Sequence, residues 1–146
     1  MSDGEGEPAP ERVRGVVVSH GTLAAGLVDA VDRITGLEAG VLVPVSNHGR
    51  GPDELARLVM EAAGDGPAVI FADLHSGSCA LAARFGCSSQ GNAQVVCGVN
   101  LPMLLDFVFH RDLPLDELVP RLVKRGREAV RALPPSQRHV DSSVPG

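Results

Sequence analysis

The sequence predicts an α/β protein, a doubly wound three-layer sandwich around a mainly parallel sheet of order 2-1-3-4. Three observations carry this. Four runs, VRGVVV at 13–18, GVLVPV at 40–45, PAVIFAD at 67–73 and QVVCGVN at 94–100, are rich in β-branched residues and scarcely alternate, the pattern of strands covered on both faces. A stretch of helical character follows each of them, giving strand and helix in regular succession. Crossovers between parallel strands are right-handed, and the common doubly wound order makes strands one and three neighbours.

The elements follow in order. Residues 1–12 are polar, charged and rich in Gly and Pro, and are expected to form a disordered tail before a domain at 13–133. After strand one and the turn SHGT, Leu23, Leu27, Val31 and Ile34 recur at helical spacing up to Gly36. Pro44 near the end of strand two suits an edge position, because proline gives no ladder hydrogen bond. The loop SNHGRG leads to Pro52 at a helix start, with Leu55, Leu58, Val59 and Ala62 as the next stripe. Strand three runs into LHSGS and then a helix beginning CALAARF. After strand four, LPMLLDFVFH reads as a helix opened by Pro102, and LDELVPRLVKRGREAVRAL as a last helix interrupted or bent near Pro120. The tail at 134–146 is either disordered or a fifth, antiparallel strand.

Composition narrows the function. A chain of 146 residues with 44% apolar and 21% charged residues is an ordinary single globular domain. Its net charge of -5 argues against a nucleic-acid partner. With no Trp or Tyr and only four Phe, a small-molecule site must rest on backbone amides, hydroxyls and imidazoles. No apolar run approaches the ~20 residues of a membrane span, and the acidic opening is unlike a signal peptide, so a cytoplasmic location is expected. Cys79, Cys87 and Cys97 lack C-x-x-C spacing and read as small apolar residues, with redox activity of Cys79 and Cys87 the alternative.

In an open parallel sheet, ligands bind beyond the carboxyl ends of the strands where the winding reverses. Between strands one and three, that point receives Ser19-His20-Gly21-Thr22 from one side and Asp73-Leu74-His75-Ser76-Gly77-Ser78 from the other. Adjacent strands lie about 4.8 Å apart, so His20 and Asp73 form a candidate pair. A carboxylate holding one ring nitrogen leaves the other unprotonated and nucleophilic. Both loops open helices with Thr22 and Ser78 at or near the caps, so free N–H groups and helix dipoles favour an anion such as a phosphoryl group. Gly21 and Gly77 let oxygens approach the backbone. Taken singly, His20 also reads as a polar loop residue, Asp73 as a turn former and Ser78 as a plain N-cap; convergence at one place favours the site. His48, His75 and Asn100 are candidates for its rim, with Pro102 shaping it, while His110 and His139 have no assigned role. A metal reading of His20, His48, His75 and Asp73 finds no H-x-x-x-H or H-E-x-x-H spacing, and no metal is assigned.

These residues resemble the mannose-family enzyme IIA domain of the bacterial phosphoenolpyruvate-dependent sugar phosphotransferase system. The likeness lies in S-H-G at 19–21, D-x-x-x-G-S at 73–78, G-V-N-L-P-M-L at 98–104 and G-R-E-A-V at 126–130, covering 13–133. It implies a phosphocarrier without cofactor: His20 takes a phosphoryl group from the phosphohistidine of the carrier HPr and hands it to an enzyme IIB. Asp73 then orients His20, and Ser78 sits in the phosphate loop. The resemblance further implies a homodimer exchanging a C-terminal strand, which 134–146 would supply, with membrane contact only indirectly through a permease complex. Some members of the family regulate, so a protein whose His20 phosphorylation controls partner binding is the alternative. The loop DLHSGSCA departs from the common pattern of two glycines, serine and proline, with Ser76 at the first glycine and Cys79 at the proline.

Overall fold

The computed structural model describes residues 11–37, 40–90 and 92–135, with residues 85–90 described by their backbone alone. Nine elements follow in chain order: β1 (Arg14–Ser19), α1 (Leu23–Thr35), β2 (Leu42–Ser46), α2 (Pro52–Ala63), β3 (Ala68–Ala72), α3 (Ser78–Gln90), β4 (Ala93–Cys97), α4 (Leu101–Val108) and α5 (Leu115–Glu128). The four strands form one parallel sheet of order β2-β1-β3-β4, as the sequence predicts. The expected N-terminal tail, as far as residue 10, and the expected C-terminal strand or swapped tail, from residue 136, lie outside the described residues.

Strand periodicity of two divides the core into two apolar clusters, one on each face. Val17, Val69, Phe71 and Val96 point to the side of α1, α4 and α5, where they join Ala24, Val31, Leu104, Phe107, Leu118 and Leu122. Val16, Val18, Ile70 and Ala72 point the other way, to Leu55, Val59 and Ala63 of α2 and Cys79, Ala82 and Ala83 of α3. All five residues of β3 are buried. This is why the strands show no alternation: both faces are covered, so both must be apolar.

The first face is closely packed. Phe71 and Phe107 meet edge to face, with centroids 5.3 Å apart at 81°. A Cβ on Gly15 would stand 2.6 Å from both Leu42 Cδ2 and Phe107 Cε2, so only glycine lets α4 lie so near β1. Pro44 occupies β2, which is an edge strand, and no ladder bond on the open side is lost there.

Two helices differ from expectation. In α1 the apolar face is Ala24, Leu27, Val28 and Val31, spaced i, i+3, i+4 and i+7, while Leu23 and Ile34 are exposed. The small Ala24 fits against the sheet where the larger Leu23 was expected. The last helix is neither interrupted at Pro120 nor extended to residue 133; α5 runs continuously through Pro120 and ends at Glu128. Proline there forgoes one bond on the exposed side, while Leu118, Leu122 and Gly126 hold the buried face against its neighbours. Among the described residues, no helix is long and apolar enough to cross a membrane.

Candidate functional site

At the carboxyl edge of the sheet, the central neighbours β1 and β3 release their chains side by side, with Val18 paired to Ala72 in the last rung. His20, two residues beyond Val18, and Asp73, one beyond Ala72, therefore meet. His20 Nδ1 lies 2.8 Å from Asp73 Oδ2, and the same oxygen accepts the His20 backbone N–H at 2.9 Å. Asp73 Oδ1 accepts the Leu74 N–H at 3.0 Å. The side chain of Asp73 is 9% exposed, while that of His20 is 43% exposed. Burial alone would push the Asp73 carboxyl up; the His20 backbone N–H, its ring and its charge outweigh this and hold it below the usual carboxylate value. An ionised carboxylate only accepts hydrogen bonds, so in the neutral ring it is Nδ1 that carries the proton and Nε2 that keeps its lone pair.

The surroundings leave room at Nε2. Gly77 has φ +94°, and a Cβ added there would stand 3.8 Å from His20 Cε1 and 3.9 Å from Nε2, in the space a group on that nitrogen needs. Gly21, at φ +57°, turns the chain from β1 into α1 with nothing near its missing side chain. Ser78 is the first residue of α3 rather than its cap, with Leu81 N–H on the Gly77 carbonyl at 3.1 Å. The loop that opens α3 thus lies beside the His20 ring at the start of α1, where the Leu23 N–H meets the His20 carbonyl at 3.4 Å; the first N–H groups of a helix otherwise lack intrahelical acceptors. Such an edge suits an oxyanion.

Several supporting residues escaped the sequence reading. Thr22 stands at the α1 cap but makes no side-chain cap bond; Ser19 Oγ instead accepts the Ala24 N–H at 2.6 Å. Asn47 braces three segments. Its backbone N–H reaches the Ser19 carbonyl at 3.1 Å, its Oδ1 accepts the Gly21 N–H at 3.3 Å, and its Nδ2 reaches Ser78 Oγ at 3.5 Å. Ser46 Oγ donates to the Gly21 carbonyl at 2.8 Å and accepts the His48 N–H at 3.1 Å. Cys79, wholly buried, brings its sulfur within 3.7 Å of His20 Nδ1. Burial and the neighbouring Asp73 charge push its thiol up, against a smaller lowering by the Ser78 hydroxyl.

The expected rim residues separate. His48 and His75 are exposed loop residues on the β2 and β3 sides. Asn100 has both ends of its amide engaged elsewhere, Oδ1 capping α4 through Met103 N–H at 3.1 Å and Nδ2 tying α4 to the Gly126 carbonyl at 2.9 Å. Its place is the α4 to α5 junction.

The fold is shared with other proteins. In solved structures, the fold matches the phosphotransferase system component EIIA from Streptococcus agalactiae at TM-score 0.76 and 19% identity, over 82% of this chain and 96% of that one. It matches the mannose/sorbose specific IIA subunit from Enterococcus faecalis at TM-score 0.73 and 25% identity, over 87% and 98%. A sigma-54 interaction domain protein from Enterococcus faecalis matches at TM-score 0.67 and 11% identity, over 82% and 94%. A search of curated protein sequences gave no match. A family profile described as PTS system fructose IIA component, EIIA-man, matches residues 15–122, a span that begins in β1, includes both site loops and ends in α5. With that span carrying the sheet and the His20–Asp73 pair alike, the chain belongs to the EIIA-man family of phosphotransferase system IIA components.

Proposed function

We propose that this protein is a phosphocarrier of the phosphoenolpyruvate-dependent sugar phosphotransferase system, accepting a phosphoryl group from phospho-HPr on His20 Nε2 and passing it to an enzyme IIB. The observation that carries this is the His20 Nδ1 to Asp73 Oδ2 contact of 2.8 Å, made by a carboxylate whose other bonds fix its orientation. Nε2 gives its lone pair to phosphorus as the phosphorus–nitrogen bond of the donor phosphohistidine breaks, and the donor ring keeps that bond's electron pair. Asp73 steadies the positive charge that develops on the ring. N–H groups at the openings of α1 and α3, with the hydroxyls of Thr22 and Ser78, meet the phosphoryl oxygens across Gly21 and Gly77. The return step to enzyme IIB reverses the same bonds. The protein would act in the cytoplasm as a homodimer, reaching the membrane only through a permease complex.

Incubation with phosphoenolpyruvate, enzyme I and HPr tests this. The expected product is one acid-labile phosphate per chain, absent from His20→Ala. Label that persists in the variant, or no label in the wild type, refutes it. The second function is regulatory, and the shared fold of the sigma-54 interaction domain protein favours keeping it. Phosphorylation would place a charge of about -2 at the crevice mouth and alter partner affinity. Equal partner sets for His20→Ala and His20→Asp in pull-downs would exclude such a switch.

A further inference from the structure

The geometry points to a second use of the same side chains: His20, Asp73 and Cys79 form a seat for a borderline-soft divalent cation of the zinc class, and filling that seat shuts off phosphoryl acceptance. The seat is independent of the phosphocarrier function, whereas the inhibition rests on it. One potential ligand atom from each residue lies within 4.8 Å of the other two. Nδ1 is 2.8 Å from Asp73 Oδ2 and 3.7 Å from Cys79 Sγ. A tetrahedral zinc ion, with bonds of about 2.0 to 2.3 Å to nitrogen, oxygen and sulfur, holds its ligand atoms about 3.3 to 3.6 Å apart. Widening the Nδ1–Oδ2 separation by about half an ångström, with Sγ drawn in from within 4.8 Å of both, would bring the three atoms onto one ion, leaving its fourth corner open.

The donor set selects the cation. One nitrogen, one oxygen and one sulfur suit zinc or cobalt, while magnesium and calcium demand oxygen throughout. The residues are also held in advance. Asp73 is fixed by the Leu74 and His20 backbone N–H groups, and Cys79 is wholly buried in the first turn of α3 with its sulfur against the His20 ring. Such bracing of ligands strengthens metal binding. Sequence spacing gives no hint of the seat, because its members are 53 and 6 positions apart along the chain.

Binding changes the ring. The cation takes the Nδ1 lone pair, so the single proton of a neutral imidazole moves to Nε2, and the Cys79 thiol proton leaves to solvent. Nε2 then has no lone pair with which to attack phosphorus. No electrons are transferred, and a chelator restores the starting state.

The test uses the full chain with Co²⁺ and Zn²⁺ as probes. Co²⁺ should bind at one equivalent with a thiolate-to-metal charge-transfer band, competed away by Zn²⁺, and Cys79→Ser and Cys79→Ala should both lose the band. Phosphoryl uptake by the wild type should fall about tenfold or more with one equivalent of Zn²⁺ and recover with chelator. Each variant, compared with its own zinc-free rate, should need about tenfold more Zn²⁺ for the same fractional loss. Absence of the band in the wild type, or its persistence in both variants, overturns the seat. A seat that binds while zinc-loaded protein takes phosphate at the unloaded rate overturns the inhibition. If metal-free wild type takes no phosphate at all, the phosphocarrier function fails, and the cobalt spectrum alone decides the seat.

Discussion

Among the described residues there are two histidine–aspartate contacts, and on the proposed function only one of them serves chemistry. At the sheet edge, His20 Nδ1 meets Asp73, a carboxylate otherwise held by backbone N–H groups, while the ring stands 43% exposed. Between α4 and α5, His110 Nδ1 lies 2.8 Å from the Asp106 carbonyl and 3.3 Å from Asp106 Oδ1. There Arg121 already grips the carboxylate with two bonds, Nε to Oδ2 at 2.9 Å and Nη2 to Oδ1 at 3.1 Å. A guanidinium in that fork neutralises the charge that would steady an imidazolium. On the proposed function the aspartate supports a nucleophile in one place, whereas in the other its carboxylate is committed to Arg121 and ties α4 to α5. The difference lies in the carboxylate's other partners.

The largest effect that could break this comparison is the exchange of roles. His20→Ala should abolish phosphoryl uptake, and His110→Ala should keep it within about twofold of wild type, measured as acid-labile phosphate in the same assay. Equal loss in both would mean that the contact alone, irrespective of its setting, decides function. Next in size is Asp73→Asn. The amide cannot accept as a charged group and permits the proton to sit on Nε2, so uptake should fall by about 10² to 10⁴, by analogy with other histidines that lose their carboxylate partner. Circular dichroism and a melting curve should show the variant folded. A drop below tenfold would remove Asp73 from the mechanism.

At the other pair the expected change is in stability. Asp106→Asn weakens the charge-assisted fork to Arg121, a link between α4 and α5, and should lower the melting temperature by about 3 to 8 °C. Phosphoryl uptake at a temperature where both forms are folded should not change. An altered uptake rate with unaltered melting would show that the two regions are coupled.

The sequence makes the first pair legible and the second nearly invisible, for a physical reason. Covered strands announce their ends, and the winding rule places the ends of β1 and β3 together, so His20 and Asp73 could be paired from spacing alone. The Asp106–Arg121 fork depends on how α4 and α5 face each other, which periodicity does not give. The same limit hid Asn47 and Ser19: their roles come from loops folding back over α1 and α3. Asn100 was readable otherwise than as a rim residue, since asparagine two positions before Pro102 at a helix start is an N-cap pattern. Cys79 looked like a small core residue, and it is one; its nearness to His20 follows from the first turn of α3 rotating its sulfur inward.

The smallest expected effect sharpens the comparison through pH. Asp73 has a carboxyl pKa held below its ordinary value of 3.8, because the hydrogen bonds and charge of His20 outweigh the cost of burial. A depressed folded-state pKa means that the unfolded chain binds the proton more readily than the folded one does. The resulting stabilisation is therefore complete above the unfolded value, and it drains away as the pH falls through the lower, folded value. An asparagine at 73 has no such dependence. The difference in melting temperature between wild type and Asp73→Asn should accordingly be present in full at about pH 5 and shrink below about 4. A difference that grows as the pH falls below about 5 would mean that Asp73 is strained in its charged form. In that case burial would dominate, the carboxyl would sit above its ordinary value, and the proton on Nδ1 of His20 would lose the partner that keeps Nε2 free to react.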